Sequence, residues 1–167
     1  MERTLRLGAL NIVTQPHSAP GYQRLIELVR NRRMAVRIRG DRFGLFTFLA
    51  PSQQPRAAGA YIQGLVGTFT QIYADGDWIN LATGRNAEQD DLQRIVIPRG
   101  LKPNPKYFHF RFYLREHLFI YEMGNGGLRL TPLNAKTLLD RQFSAETVID
   151  RFGQVEVTCV PKRSHVD

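Results

Sequence analysis

The residues best placed to do chemistry stand in one short stretch, Lys106-Tyr107-Phe108-His109-Phe110-Arg111-Phe112-Tyr113-Leu114. Phe108, Phe110, Phe112 and Leu114 alternate with Tyr107, His109, Arg111 and Tyr113, the period-2 pattern of a strand with one apolar and one mixed face. Aromatic rings on an open sheet stack nucleobases, and nearby cations hold phosphates. The stretch lacks the glycines of the common RNA-binding strand motif. The plainer alternative is an ordinary cross-strand ladder, since aromatic residues favour strands in general.

Other candidates are weaker. His109 and His117 lie eight positions apart, but neither begins the H-x-[ST] signature of two-histidine phosphodiesterases: His109 precedes Phe110-Arg111 and His117 precedes Leu118-Phe119. Asp75, Asp77, Glu88, Asp90 and Asp91 offer carboxylates for a metal-dependent nuclease, which needs several of them converging on two ions. Turn chemistry explains Asp75-Gly76-Asp77, and helix-start chemistry explains Glu88 to Asp91. Gly124-Asn125-Gly126-Gly127 lacks the lysine of a phosphate loop and reads as a hairpin turn. Cys159, flanked by Thr158 and Val160, has no His partner in the sequence pattern and reads as a small packed residue.

A second signal is charge. The 167 residues carry 23 Lys+Arg against 15 Asp+Glu, a formal net charge of +8. Residues 1–40 alone hold eight arginines against Glu2 and Glu27. Arg30, Arg32, Arg33, Arg37, Arg39 and Arg42 form the basic segment expected to attract a polyanion or an acidic protein.

These side chains require a scaffold. A strand is expected over Leu5–Val13, followed by a helix opening near Pro20, with Tyr22, Leu25, Ile26 and Val29 on one face and Arg32-Arg33 at its basic end. Met34–Arg39 and Phe43–Leu49 read as a hairpin turning at Gly40-Asp41, and Pro51–Ala60 as a loop. Tyr61–Tyr73 reads as a long strand interrupted by Gly64 and Gly67, hairpinning through Asp75–Asp77 into Trp78–Leu81. Ala87–Ile95 suggests a short helix. A third hairpin joins Tyr107–Leu114 to His117–Met123, with a turn into Leu128–Leu130. Leu133–Phe152 is helical, in two pieces split near Phe143-Ser144, and Gln154–Val160 is a final strand. The expected fold is a single α+β domain over 1–167: antiparallel sheet with helices on one face, in a ferredoxin-like split βαβ arrangement.

Composition bounds the rest. No apolar run approaches the ~18 residues of a membrane span, and the first residues lack the apolar core of a secretory signal. A single cysteine rules out an internal disulfide framework and a multi-cysteine metal site, so a cytoplasmic setting is the simplest.

The segments RLGALNIV, YFHFRFYLREHLFIYE and VEVTCVP resemble an uncharacterised bacterial family of unknown function associated with accessory and phage-defence genes. The resemblance implies a prokaryotic cytoplasmic setting and a defence role. It also implies that some members continue beyond this region, so that the chain is a short member or a fragment. It transfers no catalytic residue.

The reading is therefore a non-catalytic module that binds RNA or single-stranded DNA, a sensor or subunit of a phage-defence complex, with no metal or cofactor. Its binding residues would be Arg30, Arg32, Arg33, Arg37, Arg39, Arg42, Tyr107, His109, Arg111 and Tyr113. The first alternative is a protein-interaction module whose basic face meets an acidic partner or a second copy of the chain; the second is the metal-dependent nuclease.

Overall fold

A computed structural model describes residues 4–50, 59–124 and 129–161. Most of the expected loop 51–60, the tip of the turn after Gly124 and Leu128 lie outside the described residues.

Alternating apolar positions build seven strands into one sheet. In chain order they are β1 (Leu7–Val13), β2 (Val36–Arg39), β3 (Arg42–Leu49), β4 (Tyr61–Thr70), then β7 (Lys106–Tyr113), β8 (Leu118–Glu122) and β9 (Glu156–Cys159). A separate two-stranded ribbon, β5 (Ile79–Asn80) with β6 (Arg85–Asn86), fills the excursion between β4 and β7. The helices are α1 (Ala19–Arg32), the single turn α2 (Gln89–Leu92), α3 (Pro132–Phe143) and α4 (Glu146–Phe152).

The sheet runs β2-β3-β4-β7-β8-β1-β9, and every neighbouring pair is antiparallel. It curls into a half-barrel, with helices a minor component. This corrects the ferredoxin-like α+β expectation. In a split βαβ fold the helix after a strand leads to a parallel strand one place away, with a single antiparallel strand inserted between the two; here four strands stand between β1 and β2. The helix after β1 does not return the chain to a strand beside β1. It delivers the chain to β2, at the opposite edge, while β1 is taken between β8 and β9.

Local chemistry explains the main helices. In α1 the Ser18 hydroxyl accepts the Gly21 N–H at 3.0 Å, Pro20 occupies the first turn, and Arg30 and Arg32 complement the dipole at the other end. Tyr22, Leu25, Ile26 and Val29 are buried, as their spacing predicts. The C-terminal helical region does divide: the Ser144 N–H closes α3 on the Asp140 carbonyl, and α4 starts after Ala145. Other boundaries shift. The region Trp78–Leu81 pairs with Arg85–Asn86 rather than with β4, and the helix expected over Ala87–Ile95 contracts to Gln89–Leu92.

The core lies between the sheet and α1 and α3. Tyr22 meets Phe112 edge-on at 5.5 Å, and Leu138 lies over Gly44. An aromatic cluster of Phe46, Phe110, Phe112, Phe119 and Tyr121 spans β3, β7 and β8. Gly8 is required beside it: a Cβ there would overlap the Tyr121 ring. The Tyr121 hydroxyl is buried with no hydrogen-bond partner among the described residues, and burial raises its pKa.

Candidate nucleic-acid interface

Strand alternation divides β7 cleanly. Phe108, Phe110 and Phe112 are buried on the helix side, whereas Tyr107, His109 and Arg111 are exposed on the other face and Tyr113 is half-buried there. Register on β4 completes this face. Tyr113 pairs with Tyr61, Arg111 with Gln63, His109 with Leu65 and Tyr107 with Gly67. The Arg111 guanidinium lies 4.7 Å from the Tyr61 ring centre, and the Tyr61 and Tyr113 rings are 5.6 Å apart. A flat cation laid on one ring beside another is a surface on which planar groups stack.

A groove of about 750 Å3 runs along this face. Its walls include Leu5, Leu7, Phe48 and Ile120, and its polar lining includes His109, Arg111, Gln63 and Glu122. Tyr107 (60% exposed) stands on the same strand face, beyond the groove lining. Reading β7 alone misses Tyr61, Gln63, Phe48 and Glu122. They come from other strands, and only the register shows that they share this face.

The basic residues do not gather into one patch. Arg37 faces the same side as the groove: it pairs with Phe43, and its guanidinium sits 5.5 Å from that ring. Phe43 in turn stacks on Phe69 of β4. Three strand spacings separate β2 from β7, about 14 Å. Arg39 is exposed at the β2–β3 turn opposite Arg42. Arg30, Arg32 and Arg33 end α1 on the helix side of the sheet, where they are engaged locally. Arg30 donates to Asn31 Oδ1 at 3.0 Å, Arg32 to Met34 Sδ at 3.3 Å, and Arg33 caps the helix in a left-handed conformation. These three therefore do not share the aromatic face with Arg111 and Arg37.

Arg42 points inward. It donates to the Arg129 carbonyl at 3.0 Å and to Thr68 Oγ1 at 3.1 Å, with its guanidinium 5.9 Å from the Phe108 ring centre. Burial lowers its pKa from the usual arginine value. It is a brace within the fold. Arg42→Ala is expected to lower stability by about 1–2 kcal/mol by removing these hydrogen bonds. Nucleic-acid affinity measured on the folded variant should be unchanged; a weaker but fully stable variant would return Arg42 to the binding surface.

Among the described residues no three His, Cys, Asp or Glu side chains gather where a metal could sit, so the geometry lends the nuclease alternative no support. Asp91 instead closes the small ribbon, accepting from Asn80 Nδ2 at 3.0 Å and the Glu88 N–H at 3.2 Å. Those two bonds, Asn80 first, hold its pKa below the usual range. His117 is likewise taken up elsewhere. It stacks on His17 at 5.5 Å near the Tyr22 hydroxyl, at the far end of the hairpin from His109. Cys159 is exposed on β9 rather than packed. No helix among the described residues is long and apolar enough to cross a membrane.

Comparison with known proteins places residues 3–167 in the family described as Domain of unknown function (DUF4747), and the chain belongs to that family. No curated protein and no solved structure matches it.

Proposed function

We propose that this member of the DUF4747 family is a non-catalytic module that binds single-stranded nucleic acid, RNA or DNA, across the helix-free face of its sheet. One observation carries the reading. Arg111 lies on Tyr61 beside Tyr113 at the edge of an open groove, with Tyr107 and His109 on the same strand face. Rings would take the bases, and Arg111 and Arg37 the phosphates, in a chain of net charge +8. The setting we propose is the cytoplasm of a prokaryote, in a phage-defence complex. Deleting the gene in its host should then raise phage plaquing efficiency, and unchanged plaquing would remove that setting.

The direct test is fluorescence anisotropy with short labelled RNA and DNA over a range of salt. Affinity should fall steeply as salt rises; no binding at low salt would end the reading. Arg37→Ala/Arg39→Ala should weaken binding and reduce the salt slope by about 0.7 for each phosphate no longer neutralised. Its thermal midpoint should barely move, because exposed charges contribute little to stability. An unfolded double variant would make these arginines structural.

A second reading draws on the apolar rim. Leu5, Leu7 and Phe48 are each about half exposed or more beside the groove, a pattern suited to a protein partner, either acidic or a second copy of the chain. Self-association in sedimentation velocity that Phe48→Asp abolishes, with no salt-dependent oligonucleotide binding, would favour it.

A further inference from the structure

The groove contains one group that a phosphate site would not include. Glu122, at the end of β8, is the one carboxylate among its described lining residues. It has no salt bridge among the described residues. It stands opposite Leu7 on β1, and the register that pairs Arg111 with Ile120 and Phe110 with Tyr121 carries on to bring it alongside His109. An anionic side chain here repels a phosphate backbone. It suits a ligand that presents N–H donors to the groove while its phosphates stay outside, near Arg111 and Arg37.

The edges of the four bases separate on this point. Guanine presents two adjacent donors, N1–H and N2–H, which match the two oxygens of one carboxylate, and its O6 and N7 can accept from a ring N–H such as that of His109 in the groove lining. Uracil sets its single N–H between two carbonyls that a carboxylate repels. Adenine and cytosine place an unprotonated ring nitrogen beside the amino group, which gives the carboxylate one donor and one acceptor.

We infer that the groove between β4, β7 and β8 holds an unpaired guanine whose N1–H and N2–H donate to Glu122. This selectivity rests on the nucleic-acid reading above. The apolar lining from Leu7, Leu65 and Ile120 excludes water from the base and strengthens the charged hydrogen bonds.

The probes are three labelled oligoribonucleotides: octauridine, the same chain with one central guanosine, and the same chain with inosine there. Inosine keeps N1–H and O6 and lacks only the N2 amino group. The guanosine probe should bind roughly 10- to 100-fold tighter than octauridine, the range of a charged hydrogen-bond pair, and inosine should lose most of that gain. Glu122→Ala should erase the preference while leaving octauridine affinity equal or higher. Should that variant fail to fold, Glu122→Gln keeps the packing and removes one of the two acceptors, so the preference should shrink. Equal binding of all three probes overturns the guanine assignment and leaves the nucleic-acid reading standing. A guanosine preference that survives loss of Glu122 also overturns the assignment. Absence of binding to every probe at low salt overturns the underlying reading itself.

Discussion

Phe119→Ala is expected to remove about 3–5 kcal/mol of folding stability, the range for truncating a buried aromatic. Phe119 is 2% exposed and sits at the centre of the aromatic cluster, with the Phe110 ring stacked on it at 4.9 Å. Tyr121 lies at 6.1 Å, and Phe46 and Phe112 each at 6.3 Å. Its strand is hydrogen-bonded on both sides, to β7 and to β1. The backbone therefore cannot close in on the vacated space, and the cavity term adds to the lost transfer energy. A domain of this size has about 5–15 kcal/mol in total, so the variant should lie near its unfolding threshold at 37 °C. Urea unfolding followed by circular dichroism measures the difference. A loss below about 1 kcal/mol would mean that the cluster repacks and does not hold the sheet together.

The same cluster shows how far the sequence could be read. Phe108, Phe110 and Phe112 alternate with polar neighbours, and a strand has only two faces, so the buried set follows from spacing alone. Tyr22, Leu25, Ile26 and Val29 were legible for the corresponding helical reason. Strand order was not legible, because alternation says which face is buried and nothing about which strand lies alongside. β1 is followed by a helix, then by a hairpin, and that local pattern resembles the opening of a split βαβ unit. What decides otherwise is a set of long-range pairings, Leu7 with Glu122 and Leu10 with Cys159, that no local window contains. The site divided along the same line. Tyr107, His109, Arg111 and Tyr113 share one strand and were found together. Tyr61, Gln63 and Glu122 reach them only through register. The internal hydrogen bonds of Arg42 are not legible for a related reason. This arginine follows an exposed turn and carries a charge, yet its carbonyl partner, Arg129, lies 87 positions away.

The largest binding effect should come from Tyr107→Ala combined with Tyr113→Ala: a loss of about 1–3 kcal/mol for each base that stacks, with the salt slope unchanged. The two tyrosines differ in what else they do. Tyr113 is half-buried and packs against Tyr61, so its removal also costs packing at the neighbouring ring. Tyr107 is 60% exposed, and opposite it is Gly67, whose missing side chain leaves the tyrosine ring beside bare backbone. Tyr107→Ala should therefore leave stability within about 0.5 kcal/mol of the parent, as for other surface changes, while still weakening binding. Arg111→Ala should behave in the opposite way, lowering the slope by about 0.7 because one phosphate is no longer neutralised and its counterion is no longer released. The pair of slopes separates the two roles: a ring gives up affinity at every salt concentration equally, and a cation gives it up most where salt is low. If Tyr107→Ala and Tyr113→Ala each leave affinity untouched on a folded protein, the aromatic face is a cross-strand ladder and the ligand binds elsewhere.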